Sequence, residues 1–286
     1  MKLKMNNFWT RTLTSVVFVT VMLGCICWSF WSMAILFLVI SVLGLWEFYS
    51  VIEKNGIRPQ KIYGILYGII FFISIGLFFD SLFSLAINIF LLFSIFFIEI
   101  YRKSEKPFVN ISTTIIGLIY VVLPFSLLLS VSSILCASEK LSSIIFYSGN
   151  DFTIYKYFIL GFFFLLWSND TFAYLIGRTI GKHKLFERIS PKKTWEGTIG
   201  GVVMTLIVAY FISLWITELA LIHWLVIAFI ISVFGTMGDL VESNFKRSLG
   251  VKDSGNILPG HGGILDRFDG LLISSPFVVI YLILIQ

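Results

Sequence analysis

Long apolar runs, separated by short polar segments, occupy most of this chain. No charged residue lies between Arg11 and Glu47, and apolar runs recur from there to the end of the sequence. A helix needs about 20 apolar residues to cross the ~30 Å hydrocarbon core of a bilayer. We therefore predict an all-α, polytopic integral membrane protein with about nine transmembrane helices. The spans are expected at residues 12–30, 32–49, 62–79, 82–100, 111–132, 157–175, 198–216, 220–237 and 271–285.

The first apolar run is too long for a single span. Trp28 and Trp31, together with Ser29 and Ser32, interrupt its middle, and tryptophan is typical of the membrane–water interface. This pattern predicts two helices that form a hairpin. A single bent helix is the alternative, and it would place the N-terminus on the opposite side of the membrane.

The composition excludes other classes of protein. Hydrophobic residues make up 58% of the chain and charged residues only 13%, whereas soluble domains carry roughly 25% charged residues. A chain with 30 phenylalanines and 8 tryptophans is also too apolar to remain disordered. The net charge of +5 is explained by basic loops at the cytoplasmic face, so we expect no nucleic-acid partner.

The distribution of lysine and arginine predicts the orientation of the helices. All but two of the 21 basic residues, Lys140 and Lys156, fall in segments that the nine-span topology places on one side. Because basic loops remain in the cytoplasm, we predict a cytoplasmic N-terminus and an external C-terminus. We expect one integral membrane domain. Residues 1–156 form its N-terminal spans, and residues 157–286 form the catalytic spans and their cytoplasmic loops.

Two cytoplasmic segments, at residues 176–197 and 239–270, concentrate the polar side chains. Eight carboxylates lie in or beside them, several close to the bilayer, where an unpaired charge is costly. Carboxylates hold Mg²⁺ and basic side chains neutralise phosphate, so the mixture indicates a metal-bound phosphate ligand. The eight are Asp170, Glu187, Glu196, Asp239, Glu242, Asp253, Asp266 and Asp269.

The start of the second segment places three polar groups at helical spacing. If the segment is helical, Asp239, Ser243 and Lys246 lie on one face. An acid, a hydroxyl and an ammonium group would then point into one site. A solvated helix beside the membrane, with an incidental polar stripe, is the alternative.

The end of the same segment is rich in glycine. Gly262 and Gly263 let the backbone approach a phosphate closely, and a helix that starts after them offers free N–H groups to an anion. Asp266 and Asp269 share a helical face, where their like charges repel, so a cation between them is expected. The alternatives are a plain loop with a helix cap, or a structural ion pair formed by Arg267.

The first segment contains a Ser190-Pro191 step, which predicts a helix start with proline at the first helical position. Lys192 and Lys193 follow, and they suit either a triphosphate or anionic lipid headgroups.

Asp170 and two further acids lie within predicted spans. Asp170 is either a functional residue or a helix–helix hydrogen-bonding partner. Glu47 and Glu99, at the inner ends of two spans, are interpreted as interfacial anchors.

The second polar segment resembles the signature of the phosphatidate cytidylyltransferases, also called CDP-diacylglycerol synthases. That signature joins a serine and a Lys-Arg pair to a Lys-Asp pair and to a Pro-x-His-Gly-Gly run that ends in Asp-Arg-hydrophobic-Asp. The matching residues are Ser243, Phe245, Lys246, Arg247, Lys252, Asp253, Gly255, Pro259, His261, Gly262, Gly263, Ile264, Asp266, Arg267, Phe268 and Asp269. The run 190–197 and the Asn169-Asp170 step also resemble upstream elements of this family.

The resemblance implies a reaction of CTP with phosphatidic acid in the bilayer, giving CDP-diacylglycerol and pyrophosphate, at the cytoplasmic face of a bacterial-type inner membrane. It implies Mg²⁺ held by Asp239, Asp266 and Asp269, and it leaves open a second, monovalent cation and a homodimer. The implied catalytic residues are Asp239, Ser243, Lys246, Arg247, Asp266 and Asp269. The implied substrate-binding residues are Ser190, Lys192, Lys193, Thr194, Lys252, His261, Gly262, Gly263 and Arg267.

Two rival functions use similar residues. A CTP-dependent polyprenol kinase would need the same metal and phosphate ligands but would release CDP. An ion-coupled transporter would place its acids near the bilayer midplane, whereas here they gather at one face.

Overall fold

The computed structural model describes residues 7–79, 81–137, 151–217, 219–255, 257 and 262–285. Within these ranges the chain forms α-helices, one π-helical turn (Leu118–Val122) and one short β-hairpin. The helices are α1 (Asn7–Trp28), α2 (Phe30–Glu53), α3 (Lys61–Leu77), α4 (Leu82–Tyr101), α5 (Pro107–Gly117), α6 (Leu123–Ala137), α7 (Asp151–Ile180), α8 (Trp195–Trp215), α9 (Leu221–Ser248) and α10 (Leu265–Leu284). The strands are β1 (Lys184–Phe186) and β2 (Ser190–Thr194).

The apolar helices confirm an all-α, polytopic membrane protein. In the part of the chain that is described, 7 helical stretches are long and apolar enough to cross a bilayer, and one of them, Pro107–Ser132, runs through α5, the π-helical turn and α6. Two shorter apolar helices, Thr12–Trp28 and Lys61–Leu77, coincide with the other two expected spans. The total of nine spans and the orientation of the termini stay predictions.

The first apolar run forms two helices, as the tryptophan pattern predicted. Ser29 ends α1 and caps α2, because its hydroxyl accepts a hydrogen bond from the Ser32 N–H at 3.1 Å. The Ser32 hydroxyl accepts in return from the Ser29 N–H at 3.0 Å. This reciprocal capping box satisfies backbone donors that the helix start leaves unpaired, so the two serines define the break.

The chain divides into two compact units. The first unit contains the residues up to Ser126 together with Ser248–Phe268, and the second contains Leu127–Arg247 together with Asp269–Gln286. The boundary between the units falls within α6, and the glycine-rich segment, residues 254–264, belongs to the same unit as the N-terminal helices. A single integral membrane domain stays a prediction.

Glycines bring the helices of the second unit close together. A Cβ on Gly197 of α8 would lie 2.7 Å from the Ala173 carbonyl oxygen of α7. A Cβ on Gly238 of α9 would overlap the Asp269 carbonyl oxygen and lie 3.0 Å from the Gly270 Cα of α10. Small residues allow such close backbone approach between membrane helices. Here they bring α8 against α7 and α9 against α10.

The expected helix start at Ser190 and Pro191 is wrong. These residues belong to β2, which pairs antiparallel with β1 in the register Phe186↔Ser190. Proline tolerates an exposed edge of a short hairpin because its missing N–H removes no needed ladder bond. Helix α8 begins only after Thr194, whose hydroxyl accepts from the Gly197 N–H at 3.2 Å as an N-cap.

Glu99 is a buried structural residue, and its interpretation as an interfacial anchor is wrong. It is only 3% exposed, at the end of α4. Its carboxylate accepts four hydrogen bonds of 2.8 Å, from Gln60 Nε2, Asn110 Nδ2, Ser104 Oγ and an Arg102 guanidinium nitrogen. The residue thereby joins α4 to α5 and to the loop before α3 within the first unit.

Candidate active site

Three carboxylates from three helices meet in the second unit, and we call Asp170, Asp239 and Asp269 the acidic cluster. Asp170 lies on α7, Asp239 on α9 and Asp269 on α10. The three are close enough to interact electrostatically with one another. Lys193 of β2 reaches them, and its ammonium nitrogen lies 2.7 Å from Asp239 Oδ2.

Neighbouring groups orient the members of the acidic cluster. Lys193 also donates to the Thr236 carbonyl oxygen at 3.3 Å, which ties β2 to α9. The Ser243 hydroxyl donates to Asp239 Oδ1 at 3.2 Å, so these two residues share the helical face that their spacing predicted. The Gly270 N–H donates to Asp269 Oδ1 at 2.8 Å.

The acidic cluster is accessible to a ligand. The Asp239 side chain is 40% exposed and that of Lys193 is 24% exposed. Three carboxylates facing one ammonium group leave an excess of negative charge, and like charges at short range repel. Such a site favours an additional cation, and hard carboxylate oxygens suit Mg²⁺.

Asp170 belongs to this site, although its role could not be decided from the sequence. Two signals pointed to it: its position inside an apolar span, where a charge is expensive without a function or a partner, and the resemblance of the Asn169-Asp170 step to the family. The pairing with Asp239 and Asp269 joins residues that are far apart in the chain, and no spacing pattern predicts it.

A second pair of acids, Glu47 and Asp266, lies in the first unit. Asp266 Oδ2 accepts hydrogen bonds from the Ser254 N–H at 3.1 Å and the Gly263 N–H at 2.7 Å, and the Ser254 hydroxyl oxygen lies 3.0 Å from it. Glu47, at only 3% exposure, accepts from the Ile264 N–H at 2.8 Å and from the Ser254 hydroxyl. Its interpretation as an interfacial anchor is therefore wrong.

The glycines of the signature make room for these two carboxylates. Gly262 has a φ of +83°, which favours glycine, and a Cβ there would lie 2.6 Å from Asp266 Oδ2. A Cβ on Gly263 would overlap the Glu47 carboxylate. Gly262 and Gly263 thus pack against Asp266 and Glu47, and these contacts could not be predicted from the sequence.

The remaining predicted residues have varied surroundings. Lys246 forms an ion pair with the buried Glu242, at 2.5 Å, and Thr194 is the N-cap of α8. Ser190 is half-buried in β2. The exposed basic residues are Lys192, Arg247, Lys252 and Arg267. His261 lies outside the described residues.

The magnesium site stays a prediction. Over the described ranges, no group of three His, Cys, Asp or Glu side chains is arranged to hold a metal ion. Asp239 and Asp269 lie together with Asp170, while Asp266 bonds to Ser254 and Gly263. The oxygen donors in both places are of the kind that Mg²⁺ takes.

The comparison with protein families covers nearly the whole chain. The model of the cytidylyltransferase family matches residues 9–285. This chain belongs to the cytidylyltransferase family. The family resemblance read from the signature residues is therefore confirmed.

Several relatives of this cytidylyltransferase-family chain carry the name phosphatidate cytidylyltransferase. Those of Staphylococcus saprophyticus and Staphylococcus haemolyticus are 52% and 53% identical over 128 and 129 residues. That of Staphylococcus aureus is 51% identical over 129 residues. Each match covers 44% of this chain and 49% of the relative, so the chain spans about half the length of the curated relatives it matches.

Proposed function

We propose that this chain transfers the cytidylyl group of CTP to phosphatidic acid, giving CDP-diacylglycerol and pyrophosphate. The observation that carries the proposal is the acidic cluster with Lys193 in a member of the cytidylyltransferase family. The names of the staphylococcal relatives support the choice of substrates. The apolar helices are long enough to cross a bilayer, which is where a lipid substrate resides.

The reaction exchanges one phosphoanhydride bond for another. An oxygen of the phosphatidic acid phosphate attacks the α-phosphorus of CTP, and the bond from that phosphorus to the bridging oxygen of the β-phosphate breaks. Pyrophosphate leaves with the bonding electrons. A phosphomonoester has a second pKa of about 6 and is largely ionised at neutral pH, so the attacking oxygen needs no general base.

The acidic cluster fits the proposed Mg²⁺ because Asp170, Asp239 and Asp269 are hard oxygen donors that repel one another. Asp239, Asp266 and Asp269 are the proposed ligands, and Asp170 contributes its charge to the acidic cluster. When bound, Mg²⁺ neutralises phosphate oxygens and helps to orient the triphosphate.

The basic residues hold the phosphates in this proposal. Lys193, already 2.7 Å from Asp239, contacts the triphosphate, and the Ser243 hydroxyl orients Asp239. Positioning and charge neutralisation dominate phosphoryl transfer, so these contacts carry the catalytic effect. The further proposed phosphate contacts are Ser190, Lys192, Thr194, Lys246, Arg247, Lys252, His261, Gly262, Gly263 and Arg267.

We place the active site at the cytoplasmic face of a bacterial inner membrane. CTP is a cytoplasmic nucleotide, and the phosphate of the lipid lies at the inner leaflet with its acyl chains in the hydrocarbon. The basic loops support this side because positive segments stay in the cytoplasm. A homodimer and a second, monovalent cation stay predictions from the family resemblance.

Product analysis tests the proposal against the kinase alternative. Purified protein is incubated with labelled CTP and phosphatidic acid, with and without Mg²⁺. The expected products are labelled CDP-diacylglycerol and pyrophosphate, formed only with the metal. Release of CDP without a labelled liponucleotide would favour a kinase.

A further inference from the structure

Glu47 is an acid that the proposed mechanism does not use. Helix α2 carries it, and its side chain is almost fully buried. An ionised carboxylate tolerates burial only when hydrogen bonds compensate for the lost water. Glu47 obtains them from the glycine-rich segment, because Ile264 N–H donates to Oε2 at 2.8 Å and the Ser254 hydroxyl donates to Oε1.

These two bonds tie Glu47 to Ser254, the first residue of the glycine-rich segment, and to Ile264, its last residue, directly before α10. The backbone closes tightly on the acid, since a Cβ on Gly255 would lie 2.7 Å from Glu47 Cδ. Any larger residue at Gly255 or Gly263 would collide with this carboxylate.

The same serine connects Glu47 to Asp266. The Ser254 hydroxyl lies 3.0 Å from Asp266 Oδ2, and the Ser254 N–H donates to that oxygen at 3.1 Å. The Gly263 N–H, next to the Ile264 N–H that Glu47 accepts, donates to Asp266 as well. Movement of Glu47 would therefore displace the donors that orient the Asp266 carboxylate.

We propose that Glu47 is a positioning residue that acts on Asp266 and the glycine-rich segment through Ser254 and the Ile264 amide. It touches neither substrate. The inference rests on the proposed function, in which Asp266 is a metal ligand. Residues that orient metal ligands commonly change metal affinity or activity by ~10- to 100-fold when they are replaced.

Glu99 provides a matched control in the same unit. It is as buried as Glu47, at 3% exposure, and also lies near the end of an apolar helix. Its donors are Gln60, Arg102, Ser104 and Asn110, none of which belongs to the glycine-rich segment. Glutamine at either position keeps the volume but retains one acceptor oxygen instead of two.

The test compares Glu47→Gln with Glu99→Gln. For Glu47→Gln we expect the Mg²⁺ concentration for half-maximal cytidylyl transfer to rise ~10- to 100-fold. For Glu99→Gln we expect a lower melting temperature and the wild-type Mg²⁺ dependence. Equal Mg²⁺ dependence in the two variants would overturn the inference. Ser254→Ala should raise the required Mg²⁺ concentration in the same way. It serves as the test variant if Glu47→Gln does not fold.

Amide hydrogen exchange provides a readout without substrate or metal. In Glu47→Gln, peptides that contain residues 254 and 264 should exchange faster than in wild type, whereas Glu99→Gln should leave them unchanged. Wild-type exchange of these peptides in Glu47→Gln would also overturn the inference. If the wild-type protein makes no CDP-diacylglycerol, the proposed function fails, while the exchange comparison still decides whether Glu47 holds the segment.

Discussion

The acidic cluster and Glu99 are two opposite ways of placing acids near a membrane. Glu99 is buried and accepts four hydrogen bonds of 2.8 Å, so its charge is fully compensated by the protein. The acidic cluster sets three carboxylates against one another, with Lys193 as the counter-ion of Asp239. The first arrangement stabilises the fold. The second leaves uncompensated negative charge at an accessible position, where it can bind a cation and, through the cation, a phosphate.

The largest effect is expected from removing one charge of the acidic cluster. Asp269→Asn should lower cytidylyl transfer by about 10²- to 10³-fold, the loss typical for a group that stabilises transition-state charge. Its melting temperature without Mg²⁺ should equal or exceed that of wild type, because a repulsive charge is gone. Turnover assays and thermal unfolding measure both. Wild-type turnover in excess Mg²⁺ would remove Asp269 from the site.

Loss of Lys193 should have the next largest effect. Lys193→Met removes a charge-assisted contact, worth about 1.5–3 kcal/mol, so kcat/KM for CTP should fall about 10- to 100-fold. Lys184→Met is the control, since Lys184 is exposed on the other strand of the hairpin. Equal kinetics in the two variants would contradict a role for Lys193 in binding the triphosphate.

A smaller effect is expected at the glycine contact between α9 and α10. Gly238→Ala places a methyl group against the Asp269 carbonyl oxygen, and such overpacking should cost about 1–3 kcal/mol of folding free energy. Gly24→Ala is the control because a Cβ there has nothing within 4 Å. Denaturation in detergent compares them. An equally stable Gly238→Ala would show that the helices do not need this close approach.

The smallest effect on catalysis is expected at Glu99. Glu99→Gln loses hydrogen bonds to a buried charged group, so the protein should be destabilised by about 1–3 kcal/mol. Turnover of the folded variant at saturating substrates should remain at the wild-type value. A loss of turnover as large as that of Asp269→Asn would erase the distinction between the two kinds of acid.

The patterns that were read correctly from the sequence are local. The apolar runs predicted the helices, and Trp28 and Trp31 predicted the first hairpin. The spacing of Asp239 and Ser243 predicted their contact, because both lie on one helix. The helix start predicted at Ser190-Pro191 was wrong, because the same residue pair suits both a helix start and the edge of a hairpin.

The contacts that could not be predicted join distant parts of the chain. Glu47 and Glu99 both end an apolar run, yet Glu47 accepts bonds from the glycine-rich segment and Glu99 from residues near α4. The position of Asp170 in the sequence did not predict its proximity to Asp239 and Asp269. Nothing in the spacing of these acids tells which helix faces which.

The sequence by itself determined the class of protein, the position of its apolar helices and the family to which it belongs. Those properties follow from the number of apolar residues needed to cross hydrocarbon and from a signature in consecutive positions. Only the tertiary structure decided which acids share a site and which are compensated. That decision depends on how closely helix backbones approach, and glycines such as Gly197 and Gly238 control this approach only in combination with their neighbours in space.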